Sequence, residues 1–249
     1  MELYALVGKP LSHSFSQKYF REKFCGESIE ADYELWEEDS VEEALGRVER
    51  TPQLKGLNVT MPYKRDILPY MNSLDSSAKE CGNVNCVKVL RTACGTLLKG
   101  YNTDFYGFET ALGESVDINA VRRAVILGSG AVSQTIAKVL EKHGISYRIA
   151  SRRRFVDDRH ISYEQLDKEL SDYELLVNAT PVGMHPLENA APPIDTAKLQ
   201  ASQMVFDLIY NPERTLLLQR ASAKHCRVSN GLRMLVLQAE KAWEIWQSN

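Results

Sequence analysis

The segment AVILGSGAVSQTIAKVL, residues 124–140, constrains the fold most, because an apolar run stops at a glycine turn and a helical pattern begins at once. Ala124 to Leu127 leave no polar face for water and read as a parallel strand buried on both sides. Gly128 permits a tight turn, and Gly130 permits close approach of a ligand. From Ala131 the apolar positions Val132, Ile136, Val139 and Leu140 recur at helical spacing. A phosphate would therefore meet the N–H groups of a helix start, which makes Gly128, Ser129, Gly130, Ala131 and Val132 a candidate cradle for a dinucleotide. Ser133 stands where the third glycine or alanine of the G-x-G-x-x-G/A pattern would be, and is small enough to keep the helix packed close. Glycine pairs also occur in strand-to-helix turns that bind nothing, so the surrounding sequence has to carry the case.

Composition narrows the alternatives. At 249 residues with 44% hydrophobic positions, the chain suits two compact α/β domains. A net charge of -3 with no basic block larger than Arg152–Arg154 speaks against a nucleic-acid surface. No apolar run approaches the roughly 20 residues of a membrane helix, and the N-terminal sequence lacks a signal-peptide pattern, so the expected compartment is the cytoplasm. Five cysteines show no C-x-x-C spacing and read as reduced thiols, with no metal site expected.

Along the chain, Leu3–Val7 reads as a first strand, broken by Gly8 and Pro10. Ser12, Ser14 and Ser16 then precede an amphipathic helix. One serine suffices for a cap, so three hydroxyls at alternate positions either cap or ring a small anion or polyol. Leu57–Thr60 reads as a strand, and Pro62 suggests a helix that places Lys64 in its first turn. There the positive end of the helix dipole disfavours an ammonium group, as a proton-transferring lysine requires. Asn102, Thr103 and Asp104 precede another amphipathic helix and exceed what capping needs. Beyond the glycine turn, Tyr147–Ala150 form the next strand and end in Ser151, Arg152 and Arg153, where an NAD-binding domain would carry an acid; guanidinium groups there fit the 2'-phosphate of NADP. Asn178 and Thr180 lie at a strand's C-terminal end, where open α/β sheets bind ligands. The last helix reads as a core stripe of Leu232, Leu235, Val236, Ala239, Trp243 and Trp246, with Gln238 as its polar member.

Taken together, SHSFS, NVTMPYK, GNVNCV, NTD, GSGAVS, SRR, NATPVGM, DLIYNPERT and GLRMLVLQA resemble the motifs of the shikimate dehydrogenase family, in the same order and over nearly the whole chain. The resemblance implies reversible NADP-linked interconversion of 3-dehydroshikimate and shikimate. By position, Ser14 and Ser16 would hold the substrate carboxylate, which Tyr210 would also approach, while Asn58, Thr60, Asn85 and Gln238 would surround the ring hydroxyls. Lys64 and Asp104 would be the catalytic pair. Thr180 would join the cofactor residues, and Gly231 would bring backbone near the nicotinamide. The implied fold is α/β, with a substrate domain at 1–101 and 231–249, a Rossmann-type NADP domain at 102–230, and a cleft separating them.

Four positions depart from the family pattern: Gln17 replaces a common proline, Ala131-Val132 a glycine-alanine pair, and Arg233 a common glycine near the nicotinamide. The competing readings are an NAD-using quinate/shikimate dehydrogenase, a catalytically silent dinucleotide-binding regulator and a folate-linked dehydrogenase of related architecture, the last of which would not require this carboxylate-and-polyol shell. Either a monomer or a homodimer is compatible with the sequence.

Overall fold

A computed structural model describes residues 1–11, 14–152 and 157–248. Ser12, Arg153 and Arg154, named above, lie outside them. The chain divides into two compact units, Met1–Thr103 with Ala239–Asn249, and Asp104–Gln238.

The first unit is built on β1 (Glu2–Val7), β2 (Ala31–Trp36), β3 (Leu54–Val59), β4 (Ser73–Leu74), β5 (Cys86–Thr92) and β6 (Gly95–Tyr101), with α1 (Phe15–Gly26), α2 (Val41–Glu49) and α3 (Ser76–Cys81). Its mixed sheet runs β2-β1-β3-β5-β6-β4. β1 lies parallel to β2 and β3, whereas β5 is antiparallel to β3 and to β6. Because side chains alternate across a strand, β1 feeds two cores. Leu3, Ala5 and Val7 join Trp36, Val41, Ala44 and Leu57 on one face, while Tyr4 and Leu6 join Phe20, Phe24, Tyr33 and Trp246 on the other.

The second unit contains α4 (Thr103–Ser115), which begins one residue before it, then β7 (Arg123–Leu127), α5 (Ala131–Lys142), β8 (Ser146–Ala150), β9 (His160–Ile161), α6 (Tyr163–Glu169), β10 (Leu175–Asn178), β11 (Met204–Asp207), α7 (Leu216–Ala223), β12 (Arg227–Ser229) and the start of α8 (Leu232–Gln247). All six strands are parallel, in the order β12-β11-β10-β7-β8-β9, the doubly wound dinucleotide-binding arrangement. Strand order reverses between β7 and β10, so a crevice opens at their C-terminal ends, at the glycine turn and Asn178. β7 is buried on both faces, as its sequence requires: Ala124 and Ile126 enter one core, Val125 and Leu127 the other. Among the described residues no helix is long and apolar enough to cross a membrane.

Two expectations fail. No helix follows Pro62; residues 61–67 form a run of turns that ends in a short 3-10 segment, Leu68–Tyr70. The Lys64 carbonyl accepts the Val84 N–H at 2.8 Å, so it is drawn to the turn before β5, and Leu68 bonds to Arg65 instead. The helix-dipole argument for Lys64 therefore lapses. The buried face of α8 is also rotated from the stripe read above: Met234, Leu237, Gln238, Ala239, Ala242 and Trp246 are buried, whereas Leu232 is 41% exposed. A glycine in α4 explains the rotation and is described below.

At the far end of α5, Glu141 binds Lys138 and accepts from Tyr147 and Arg159, and these partners, Lys138 foremost, hold its carboxyl down to about 2. A lowered folded-state value stabilises the fold above the ordinary glutamate range and loses that contribution as pH falls through it. Glu141→Gln is therefore expected to lower stability at pH 7 by about 1 kcal/mol, the range for a partly exposed network. Denaturant unfolding at descending pH should show the difference closing towards pH 2.

Candidate functional site

In the first unit, polar side chains gather where β1 and β3 end and α1 begins. Ser14 occupies the N-cap position of α1, yet its hydroxyl makes no capping bond. By contrast, Ser40, Asp75, Ser162 and Thr215 cap α2, α3, α6 and α7 with their side chains. Capping thus does not account for Ser14. Ser16 lies in the first turn of α1, and the phenol of Tyr33 on β2 donates to Asn58 Oδ1 at 2.7 Å. Asn58 Nδ2 in turn donates to the Asn85 carbonyl at 3.3 Å. The Asn85 side chain accepts the Thr103 N–H at 2.6 Å and donates to Thr103 Oγ1 at 3.0 Å. One continuous network thus joins Tyr33, Asn58, Asn85 and Thr103, and it includes Asn58 and Asn85, two of the site residues selected from sequence.

Tyr33 escaped the sequence reading, since a tyrosine in an apolar-rich strand reads as core. It is core as well: its ring is fully buried and stacks on Phe20 at 4.6 Å. Burial raises its phenol well above the ordinary tyrosine range, so it stays protonated and can donate throughout the physiological range. Thr60 follows β3, its N–H bound to the Val7 carbonyl at 2.9 Å. Gly8 lets it sit there, because a Cβ at residue 8 would lie 2.3 Å from Thr60 Cγ2 and 2.9 Å from the Met61 carbonyl. Lys64 is half-buried in the same unit.

The Asn102-Thr103-Asp104 cluster divides its tasks. Asn102 donates to Asn83 Oδ1 at 2.8 Å and Thr103 binds Asn85, so both fix the turns around β5. Asp104, 6% exposed, opens the second unit in the first turn of α4, where the helix dipole favours a carboxylate.

In the second unit, Gly128 and Gly130 play different parts. Gly128 has φ +106° and a Cβ there would meet Thr180 Cγ2 at 2.9 Å and the Ala179 carbonyl at 3.1 Å, so both conformation and neighbours demand glycine. Gly130 is extended at φ -79° and ψ -174°, and a Cβ there would meet no protein atom within 4 Å. Nothing in the fold itself calls for glycine at 130, and as the N-cap of α5 it has no side chain with which to cap. Ser129, Ala131 and Val132 around it are half-buried. These features fit a phosphate group resting on the turn.

Thr180 touches the turn and is held by its own bond to Asn178 Oδ1 at 2.7 Å. Asn178 donates to Asp207 at 2.9 Å, and Asp207 accepts from Thr215 at 2.7 Å. Burial pushes the Asp207 carboxyl up from its ordinary range, against the pull of these donors. Ser151, buried, directly follows β8, and Arg152 after it is exposed. Tyr210 is half-buried after β11. Ser133 is fully buried in α5, and among the described residues its hydroxyl has no hydrogen-bond partner. Removing an unsatisfied buried hydroxyl relieves its desolvation cost, so Ser133→Ala is expected to raise stability by about 1 kcal/mol, read as a higher denaturant midpoint.

Two further glycines proved to be structural keys. A Cβ on Gly107 of α4 would lie 2.7 Å from the Met234 carbonyl and 3.1 Å from Gln238 Cβ, so α4 rests on the α8 backbone at these residues. This seam turns Met234 and Gln238 inward, and Asp104, three residues before Gly107, lies on the same face of α4. A Cβ on Gly231 would sit 1.9 Å from the Leu208 carbonyl oxygen. Arg233 does not hang loose at the start of α8; its guanidinium pairs with both Glu114 carboxylate oxygens at 2.7 Å.

The doubly wound sheet with its glycine turn, joined to a second α/β unit carrying a buried hydroxyl and amide network, defines a dinucleotide-dependent oxidoreductase class. The profile of the shikimate dehydrogenase substrate binding domain matches residues 6–87. The shikimate dehydrogenase (NADP(+)) of Clostridium beijerinckii is 35% identical over 99% of this chain and 92% of its own. Among solved structures, shikimate dehydrogenase 1 from Peptoclostridium difficile superposes with a TM-score of 0.85 at 33% identity, covering 99% of this chain and 92% of that one. Quinate dehydrogenase from Corynebacterium glutamicum, in complex with NAD, gives 0.86 at 25% identity over 99% and 93%. This chain belongs to the shikimate dehydrogenase family, oxidoreductases acting on CH-OH groups with a nicotinamide dinucleotide.

Proposed function

We propose that this protein is a cytoplasmic, NADP-dependent enzyme that interconverts 3-dehydroshikimate and shikimate. The observation that carries this reading is the network from Tyr33 through Asn58 and Asn85 to Thr103, which, together with an N-terminal Ser14 of α1 that caps nothing, offers hydroxyl and amide groups suited to a polyol acid. Ser14 and Ser16, with Tyr210, take the carboxylate, and Asn58, Thr60, Asn85 and Gln238 take the ring hydroxyls. NADP held by the second unit would supply the hydride acceptor for the carbon being oxidised and, reduced, the hydride donor for the reverse reaction. Lys64 removes the hydroxyl proton in oxidation and supplies it to the developing alkoxide in reduction, with the Asp104 carboxylate orienting it. Gly128 to Val132 and Thr180 hold the phosphates, and Gly231 brings backbone to the nicotinamide.

Cofactor choice rests on Ser151, Arg152 and Arg153, which offer hydroxyl and guanidinium donors and no carboxylate to a ribose 2'-phosphate. Arg152→Ala is expected to raise KM for NADP about tenfold while leaving KM for NAD within twofold. Equal effects on both cofactors, measured by steady-state oxidation of shikimate, would refute that assignment. The likeness to an NAD-bound quinate dehydrogenase supports a second reading, in which quinate and NAD are used. Turnover with that pair would establish it.

A further inference from the structure

We propose that the cavity beside Lys88 in the first unit binds a small organic monoanion, at the opposite end of β1 and β3 from the candidate site. The cavity has a volume of about 380 Å³, within the range of small-molecule sites, and its lining includes Lys88, Lys55, Arg91, Glu2, Leu90 and Trp246. Its place follows from strand direction. Glu2 begins β1 and Lys55 lies at the start of β3, whereas the candidate site gathers where those strands end. At about 3.3 Å per residue, the run of β1 from Glu2 to Val7 separates the two ends by roughly 16 Å.

Charge identifies the class of ligand. Glu2 accepts the Tyr4 hydroxyl at 2.9 Å and faces Lys55 at 3.8 Å, so these two ions answer each other. Arg91 turns its guanidinium to the Val48 and Thr51 carbonyls, at 2.6 and 2.8 Å, and to Glu49 at 3.8 Å. Lys88 is the cation left over. It is only 7% exposed, and among the described residues its ammonium bonds to the carbonyl and hydroxyl of Ser248, both neutral. Its cross-strand neighbours are Gly56 on β3, which has no side chain, and Lys99 on β6, a like charge. Buried ammonium groups are ordinarily paired with an anion, and like charges directly opposed destabilise a sheet. Lys88 thus brings to the cavity a positive charge that no described residue balances. Burial, and after it Lys99, hold its amine below the ordinary lysine range, a cost that a bound anion offsets. The wall beside it is apolar and fixed. The Trp246 indole fills the space a Cβ on Gly56 would take, donates to the Val87 carbonyl at 3.1 Å and stacks on Tyr4 at 4.8 Å, while Leu90 completes that side. One unanswered cation beside a rigid apolar wall suits a carboxylate carried on an apolar body.

The probe is benzoate, with benzamide as its uncharged match in shape, and the test is Kd by titration calorimetry on the whole protein and three variants. Lys88→Met keeps the stem and removes the charge. Leu90→Glu sets a carboxylate at the rim from a side chain that is already 37% exposed, so it spares the core. Ser14→Ala alters the candidate site instead. Unfolding midpoints verify that each variant is folded. Lys88→Met and Leu90→Glu are each expected to raise the Kd for benzoate about tenfold, the effect of one charge pair, and benzamide to bind the unaltered protein about tenfold more weakly than benzoate. Ser14→Ala should leave the Kd within twofold. An unchanged Kd in Lys88→Met and Leu90→Glu, equal binding of benzamide, or no saturable binding of benzoate would overturn the proposal. So would a loss confined to Ser14→Ala, which would place the benzoate in the candidate site. None of these results bears on the chemistry assigned to Lys64 and Asp104.

Discussion

Lys64→Met is expected to lower kcat for shikimate oxidation by about 10²–10⁴-fold while changing KM far less. Methionine keeps the length and apolar stem of lysine but neither donates nor accepts a proton at the alkoxide. The loss therefore falls on the transition state and not on ground-state binding. Lys64 owes its place to backbone anchoring: its own carbonyl is bound by Val84, Tyr63 bonds back to Thr60, and Ile67 bonds back to Tyr63. These bonds belong to the backbone and survive the substitution, so the fold and the neighbouring Thr60 should be untouched. Steady-state kinetics with matched unfolding midpoints checks this; an unchanged kcat would remove Lys64 from the chemistry.

The second large effect separates two glycines that look alike in sequence. Gly231→Ala forces a methyl carbon to within 1.9 Å of the Leu208 carbonyl oxygen, a backbone atom that cannot turn aside. The Gly231 N–H is bound to the Ile209 carbonyl at 3.1 Å, so the loop is held against Leu208 from both sides of the residue. Overpacking of this severity is expected to cost about 3 kcal/mol and to lower Tm by roughly 6–12 °C for a chain of this size. Gly130→Ala meets open space and an allowed φ, and should leave Tm within about 1 °C. On the proposed reading it should instead raise KM for the dinucleotide, since the methyl group would occupy the space assigned there to the phosphates. Calorimetry and cofactor kinetics on the two variants together check the division: a stable Gly231→Ala, or a Gly130→Ala with unaltered cofactor KM, would contradict it.

Much of the fold was legible because it follows from local chemistry. Four apolar residues before Gly128 give a strand buried on both faces, and the glycine turn and helical spacing after it give the β7-α5 unit. What was not legible depends on partners distant in sequence. Pro62 favours a helix start, but the Val84 N–H claims the carbonyl of Lys64 and leaves turns instead. The apolar spacing of α8 admits two adjacent faces, and the contact with Gly107 favours the one carrying Met234 and Gln238. Within the candidate site, the serines and asparagines stood out because they exceed what caps require. Tyr33 did not, since its ring is ordinary core and only the 2.7 Å bond to Asn58 reveals the work of its hydroxyl. The one signal available was register: Tyr33 alternates inward from a strand that pairs with β1, one strand away from Asn58 on β3.

The central claim is that the hydroxyl and amide shell, Lys64 with Asp104, and the arginine-bearing strand end together make an NADP-linked shikimate dehydrogenase. Its most direct test is the initial rate of shikimate and of quinate oxidation by the purified protein, with NADP and with NAD, followed by the absorbance of reduced nicotinamide. Strong turnover confined to shikimate with NADP is the predicted result. Comparable rates with quinate or with NAD would contradict the specificity assigned to the site, and no turnover with any pair would contradict the catalytic assignment itself.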